Sequence, residues 1–402
     1  VGTDRYISTL STSVDSWIID GKKVQSTQKP TIVSSTLTWE KVTTLDLGLD
    51  ARFFNDALGV TFDWYNRTTS DILTTANLPA TLGADAPYEN MGTIQTKGWE
   101  LAIDYRHTFK NGLHFGVTAS VADDKTEVTK WTYNTKIPSY GATGWWDKSA
   151  YKEGMVLGDI WGLQFDRFLT EDDFNADGSL KAGLPDQTKV FPAGYQFAPG
   201  DVLYKDLDNN GEIVKQTNTN DKGDLSVIGN ALPRLQFGLN LDAAWKGFDI
   251  SMFFQGVAKR KLWAAGNQVL PGFTTGEPFY KGAEDYWTPE NTDAFYPRPM
   301  DYKQSASGNY SVNDRYLLNM AYLRLKTFTV GYSLPKVWLS KFKVQGLRVY
   351  FTGENLFTID GVKPAIDPEI GIRTASGKSD QRNFGRSYPY QKTVSFGIQL
   401  SL

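Results

Sequence analysis

Asp206-Leu207-Asp208-Asn209-Asn210-Gly211-Glu212-Ile213 sets side-chain oxygens at alternate positions and follows them with a glycine. That is the spacing of the first half of a calcium loop: oxygens at positions 1, 3 and 5, a glycine for the sharp turn, and a backbone carbonyl next. The bidentate glutamate expected at position 12 is replaced by Thr217, so Asp221 or Asp224 from the following segment must complete the shell. Asp206, Asp208, Asn210, Glu212 and Asp224 are the candidate ligands, and Ca2+ is the expected ion. The competing reading is a metal-free Asp/Asn/Gly turn. Asp173, Asn175, Asp177 and Gly178 repeat the spacing with a poorer completion.

Aromatic residues in long polar stretches are the second group suited to binding, because ring faces stack on sugars and on peptide side chains. Tyr140, Trp145, Trp146, Trp263 and Trp287 are the candidate substrate-binding residues, Trp145 and Trp146 foremost because Gly144 and Asp147 flank them. The alternative for such rings is packing within the loops or contact with a partner protein. No residue is assigned a catalytic role and no enzymatic activity is expected: there is no cysteine, no GxSxG elbow, no HExxH pair and no GxxxxGK[ST] phosphate loop. His107 and His114 flank one turn and form no catalytic constellation. A net charge of −3 argues against a nucleic-acid-binding surface.

The segments between these loops alternate with a period of two, the mark of half-buried strands. Trp99, Leu101, Ile103 and Tyr105 oppose Glu100, Ala102, Asp104 and Arg106; a turn at Lys110-Asn111-Gly112 leads into Leu113, Phe115, Val117, Ala119 and Val121. Equivalent hairpins turn at Asn55-Asp56 and at Lys246-Gly247. A composition 14% aromatic with 37 glycines suits strands and turns. No apolar run is long enough for a membrane helix, which leaves a membrane β-barrel open. Short turns at one end and long loops at the other, roughly residues 69–93, 126–145, 169–232, 259–315 and 358–390, match the outer-membrane barrel pattern. Strands are expected near 37–53, 58–68, 94–109, 113–124, 234–245, 248–257, 317–334, 346–356 and 391–402, with a further hairpin from Tyr151–Leu157 and Ile160–Phe168. The total of about eleven is odd, whereas a closed bacterial barrel has an even number, so the chain reads as part of a barrel. The start VGTDRY, without an initiator Met, reads as a processed product or a fragment.

Several stretches resemble the SusC/RagA family of TonB-dependent outer-membrane transporters: ENMGTIQTKGWEL (89–101), GDVLYKDLDNNGEI (200–213), RLQFGLNLDAAWKGFDISMFFQG (234–256), DYWTPENTDAFYPRP (285–299), AYLRLKTFTVGYSLPKVWL (321–339) and RVYFTGENLFTIDGVKPAIDPEI (348–370). The closing residues Ser395 to Leu402 resemble the C-terminal β-signal of such barrels, with Leu402 where Phe is common. The resemblance implies an all-β transmembrane antiparallel barrel of about 22 strands, this chain supplying about eleven, with long extracellular loops. Residues 1–36 would be an extracellular loop region and 37–402 the C-terminal half of the barrel. It implies import of oligosaccharides or oligopeptides across the outer membrane of a Gram-negative bacterium, energised by the TonB system. Its partners would be the N-terminal half with the plug domain, a SusD-like lipoprotein lid and outer-membrane lipid; nothing in this chain resembles the plug or the TonB-binding segment. The alternative is a surface or secreted β-rich carbohydrate-binding module without transport activity. Glycan and peptide cargo are both left open.

Overall fold

The computed structural model describes residues 7–8, 10–27, 32–75, 86–132, 151–215, 221–264, 266–273, 279–300, 308–339, 344–363, 366–369, 374–375, 378–379 and 390–401. Its frame is one nine-stranded antiparallel sheet. The strands are β1 (Lys41–Phe53), β2 (Leu58–Thr75), β3 (Tyr88–Thr108), β4 (His114–Trp131), β5 (Arg234–Trp245), β6 (Phe248–Lys259), β7 (Tyr322–Ser333), β8 (Gly346–Asp360) and β9 (Thr393–Ser401). Each pairs with its sequence neighbour, so the sheet is an unbroken meander, not closed on itself, with β1 and β9 as its edges. No helix among the described residues is long and apolar enough to cross a membrane, which says nothing against crossing by strands.

The alternation reproduces every one of these strands, but the expected hairpin over 151–168 is not in the sheet, which among the described residues has nine strands where about eleven were expected. The lower part of the β4 edge is taken by β5, with Gln236 opposite Ala122 and Leu241 opposite Val117. Only the top of β4 remains free, and there residues 151–157 dock through one bridge, Glu127 to Val156. Val128 N–H donates to the Met155 carbonyl at 2.8 Å, and Leu157 N–H to that of Thr126 at 2.8 Å. Beyond this the chain turns away: Asp159–Gly162 pairs with Ser226–Asn230 and Phe165–Phe168 with Val202–Tyr204, each in its own small sheet. Ile160, Leu163 and Leu169 are fully buried, so this segment is the core of a loop body instead of a wall with one apolar face.

Two regimes of burial divide the molecule. In the lower strands the apolar face is bare, as at Leu45, Leu47 and Leu49 on β1 and Phe396, Ile398 and Leu400 on β9. Above, strands β2, β3 and β4 run past their expected ends, and Ile72, Val128 and Trp131 are buried there against Tyr151 and Met155. The long loops 151–232 and 260–320 pack on each other through two larger apolar clusters, one around Leu262, Trp263, Leu270 and Met320, the other around Leu163, Val202, Tyr204 and Trp287. A separate hairpin, Thr12–Ile19 with Lys22–Thr27, lies outside the sheet.

The polar face of the sheet shows why glycines recur in it. Arg52, Gly59 and Asp104 stand in one register row across β1, β2 and β3. The Arg52 guanidinium spans the glycine to meet the Asp104 carboxylate at 2.8 Å. A Cβ on Gly59 would lie 2.3 Å from both groups. Arg348 of β8 likewise reaches over Gly331 of β7 to Asp249 of β6, its Nε donating at 2.9 Å. These struts tie β1 to β3 and β6 to β8. The hairpin between β5 and β6 closes on Lys246 and Gly247, both at positive φ (47° and 89°), the geometry of a two-residue turn that matches strand twist.

Candidate functional site

The outer-loop body is organised around Asp201, a carboxylate with 0% exposure. Its Oδ1 accepts from Arg298 Nε at 2.8 Å, Tyr195 OH at 2.9 Å and Asn309 Nδ2 at 2.8 Å. Its Oδ2 accepts the Ala198 N–H at 2.9 Å. Burial and the neighbouring Asp201 charge push the Tyr195 hydroxyl far above its ordinary range, keeping it protonated as a donor. The same Asn309 side chain accepts the Val202 N–H at 2.7 Å. One buried anion thereby joins the loop after β4 to the loop after β6. Arg315 performs a similar task with rings: its guanidinium lies 4.3 Å from the Phe165 centroid and 4.9 Å from that of Phe168, while Nε donates to the Phe295 carbonyl at 2.9 Å.

The Asp/Asn/Gly loop lies on this body. Asp206, Asp208 and Asp224 each offer a carboxylate oxygen, all within 4.8 Å of one another, the only such acidic group among the described residues. Backbone amides aim the carboxylates: Gly211 N–H donates to Asp206 at 2.8 Å, Asn210 N–H to Asp208 at 3.1 Å, and the Leu207 and Val214 amides hold Asp224 at 2.8 and 2.7 Å. The Gly211 amide draws the Asp206 carboxyl below its usual range, whereas desolvation and the Asp206 and Asp224 carboxylates push Asp208 up. That mutual repulsion is what a divalent cation would relieve. Asp224 fills the role left vacant at position 12. Glu212 does not join the group, because its carboxylate pairs with Lys189. The Asn210 side-chain oxygen accepts the Glu212 N–H at 2.8 Å and so serves the turn. Three carboxylate oxygens, all hard donors, fit Ca2+ chemistry better than that of a softer metal.

The second Asp/Asn/Gly stretch has no such convergence. Asp173 is held by Arg167 through paired bonds of 2.6 and 2.7 Å and by the Thr170 N–H at 2.8 Å, while Asp177 caps a turn by accepting the Ser179 N–H at 2.9 Å. Arg167 holds the Asp173 carboxyl down at about 2. A carboxylate depressed in the folded state stabilises above its unfolded value near 4 and loses that contribution as pH falls through the folded value, here on the order of 2 kcal/mol. Pepsin cleavage within 165–181 is expected to rise as pH drops from about 4 to about 2, and Asp173→Asn should remove this dependence.

The candidate aromatics divide. Tyr140, Trp145 and Trp146 lie outside the described residues. Trp263 and Trp287 are 1% and 7% exposed and belong to the two loop cores, where they pack the body instead of facing a ligand. Tryptophan carries the largest apolar area of any side chain, so a loop body built from long irregular segments spends it on its own core. The loop after β8 is clamped to the sheet by charges instead. Arg324 donates to Asp367 at 2.7 Å and pairs with Glu369, Lys326 Nζ also reaches Glu369 at 3.1 Å, and the Tyr390 ring lies 5.3 Å from the Arg324 guanidinium. Of these groups only Arg324 and Lys326 lie on a strand that the alternation predicts, 317–334. Asp201 had one signal, an isolated acid between Pro199-Gly200 and Val202-Leu203, where burial demands partners.

The chain resembles known proteins over nearly all of its length. The sequence profile of the family described as "TonB dependent receptor-like, beta-barrel" matches residues 4–356. TonB-dependent receptor P3 of Formosa agariphila is 27% identical over 395 residues, covering 95% of this chain and 36% of that protein. TonB-dependent receptor SusC of Bacteroides thetaiotaomicron is 24% identical over 391 residues, covering 95% of this chain and 34% of that protein. The solved structure of the RagAB peptide transporter superposes with a TM-score of 0.65 at 19% identity, covering 98% of this chain and 38% of that one. The chain thus spans about a third of the length of the curated relatives it matches. Members of the family are outer-membrane β-barrel proteins and transporters, not enzymes. An antiparallel meander with one bare apolar face, matched by the family profile from residue 4 to residue 356, places the chain in the TonB-dependent receptor-like β-barrel family.

Proposed function

We propose that this chain is the C-terminal half of the transmembrane barrel, residues 37–402, of a TonB-dependent importer, with residues 1–36 an extracellular loop region and the long loops facing the cell exterior. The observation that carries this reading is the meander itself. It is open at β1 and β9, and both edge strands show bare apolar side chains. An unpaired strand edge in lipid leaves backbone groups unsatisfied at several kcal/mol each, so both edges call for strands from the rest of the protein. The cargo in this reading is an oligosaccharide or oligopeptide, taken up with a SusD-like lipoprotein lid and energised through TonB. The likeness to SusC and to RagAB supports the pairing with such a lipoprotein.

The test is uptake by cells carrying the full-length protein. Labelled oligosaccharide or oligopeptide should accumulate only when TonB is present, and the protein should fractionate with the outer membrane and need detergent for extraction. A detergent-free soluble monomer would overturn the proposal.

The same reading includes a structural calcium ion held by Asp206, Asp208 and Asp224, bracing the outer loops. Ca2+ binding requires ionised carboxylates, so it should strengthen as pH rises from 4 to 7. Titrating Ca2+ into chelator-treated protein is expected to raise the melting temperature of the loop body, and Asp208→Ala should abolish the response. A wild-type protein indifferent to millimolar Ca2+ leaves the loop a metal-free turn.

A further inference from the structure

Beside the Asp201 hub, where Pro297 and Pro299 flank Arg298 and Tyr310 follows Asn309, the outer body carries a half-open cavity of about 680 Å³, within the size range of small-ligand sites. Its walls are tyrosine, phenylalanine and proline. Tyr296 and Tyr310 are buried, whereas Phe279, Tyr280 and Tyr286 are between 37% and 55% exposed. Rings this open are uncommon in a body that buries Trp263 and Trp287 completely enough to fill its cores.

The frame holding them is fixed. Tyr286 and Tyr296 form a β-bridge, the Trp287 N–H donates to the Tyr296 carbonyl at 3.0 Å, and the Tyr296 N–H donates to the Asp285 carbonyl at 2.9 Å. Tyr296 stacks on Tyr316 with centroids 6.0 Å apart, and Tyr310 meets the same ring edge-on at 5.4 Å. A ligand entering here orders little protein, which favours affinity.

Charge and polarity select the ligand class. Lys281 and Glu284 both line the cavity, and among the described residues neither has a hydrogen bond or an ion pair. Among the described residues that line it, none is Asp, Asn, Gln, Arg, His or Trp. A saccharide would bring a ring edge of hydroxyls for which the described lining offers only the tyrosine hydroxyls, Lys281 and Glu284, so most of that edge would be buried at a cost. A peptide rich in proline or aromatic residues brings flat apolar faces for the tyrosines and carbonyls for their hydroxyls, the chemistry by which aromatic grooves take extended proline-containing segments. Opposite unpaired charges add nothing for a neutral sugar but complement the two ends of a zwitterion.

We propose that this cavity is a subsite for short zwitterionic peptides, seating a proline or aromatic residue between Tyr280, Tyr286 and Tyr296, with Lys281 and Glu284 paired to the peptide's carboxylate and ammonium groups. Its role as a cargo subsite rests on the importer reading; its ligand chemistry does not.

The test is calorimetric binding to the full-length protein in detergent, using Tyr-Pro-Phe-Pro, the same peptide acetylated and amidated, and a neutral linear tetrasaccharide. The free peptide should bind. Tyr286→Ala should weaken it about tenfold, as loss of a stacked ring predicts. Lys281→Ala with Glu284→Ala should weaken the free peptide severalfold and leave the capped one unchanged. Tyr280 and Tyr286 are exposed, so these variants should fold, and an unchanged melting temperature checks this. The proposal is overturned if no peptide binds at millimolar concentration, or if the tetrasaccharide binds with the same dependence on Tyr286. It is also overturned if Tyr286→Ala releases a copurifying lipoprotein while peptide affinity is unaltered, since the surface would then be a protein contact. Peptide binding without TonB-dependent uptake would keep the subsite and sink the importer reading, and uptake indifferent to Tyr286 would do the reverse.

Discussion

Asp201→Ala is expected to unfold the outer-loop body while leaving the sheet intact, at a cost of about 3–5 kcal/mol, the range for removing one partner of a buried ion pair. The reason lies in what the carboxylate leaves behind. Arg298, half-buried, loses its counter-charge, and Tyr195, Asn309 and the Ala198 amide lose their acceptor at the same moment. A guanidinium deprived of this buried counter-charge, and donors deprived of this acceptor, each cost more than the bonds contributed. Two of the four partners, Arg298 and Asn309, lie 97 and 108 positions away, so local structure cannot replace them. Hydrogen exchange should show loss of protection across 187–204 and 294–313 with β5 and β6 unaffected. Asp201→Asn, which keeps shape but not charge, should lie between wild type and alanine. Wild-type protection in the alanine variant would show that the apolar clusters hold the body without the hub.

Arg324→Ala is the second large effect, again about 3–5 kcal/mol, but confined to the loop after β8. The Arg324 side chain is only 4% exposed, and Asp367 and Glu369 are nearly as well buried. Burial pushes the Asp367 carboxyl upward, but hydrogen bonds from Arg324 and from the Glu369 and Tyr390 amides outweigh it and hold it below the usual range. With the guanidinium gone, Lys326 still serves Glu369, whereas Asp367 keeps only its backbone donors. The carboxylate then protonates or drags the loop into water. Exchange at 366–369 and 390 should accelerate, most strongly above pH 4 where Asp367 is charged. Arg324→Lys should recover only part, since an ammonium lacks the fork that reaches both acids. Unchanged exchange in the alanine variant would mean the Tyr390 contacts and backbone bonds secure the loop alone.

The walls were legible in the sequence because each strand carries its own period of two, a local signal that no distant contact has to supply. The hairpin expected over 151–168 failed for the complementary reason. Tyr151 and Met155 are buried against the upper parts of β2 and β4, and Ile160 and Leu163 among the other loops, and a short apolar run does not itself show what covers it. Asp206 and Asp208 were legible through spacing, and Asp224 was one of two residues offered to close the shell. Glu212 was assigned by sequence position alone, and its engagement with Lys189 depends on a residue 23 positions away. The hub at Asp201, the rings around Arg315 and the clamp on Arg324 depend on residues brought together only by the fold.

On the importer reading, the struts that cross Gly59 and Gly331 bear on how matter moves past the sheet. Where an arginine is already bound to an aspartate two strands away, the wall presents a dipole instead of a bare ion. A surface of dipoles attracts charged solutes weakly and briefly, and passage through a pore requires binding weak enough to permit departure. On that reading, the glycine that makes room for each strut also keeps that stretch of wall slippery.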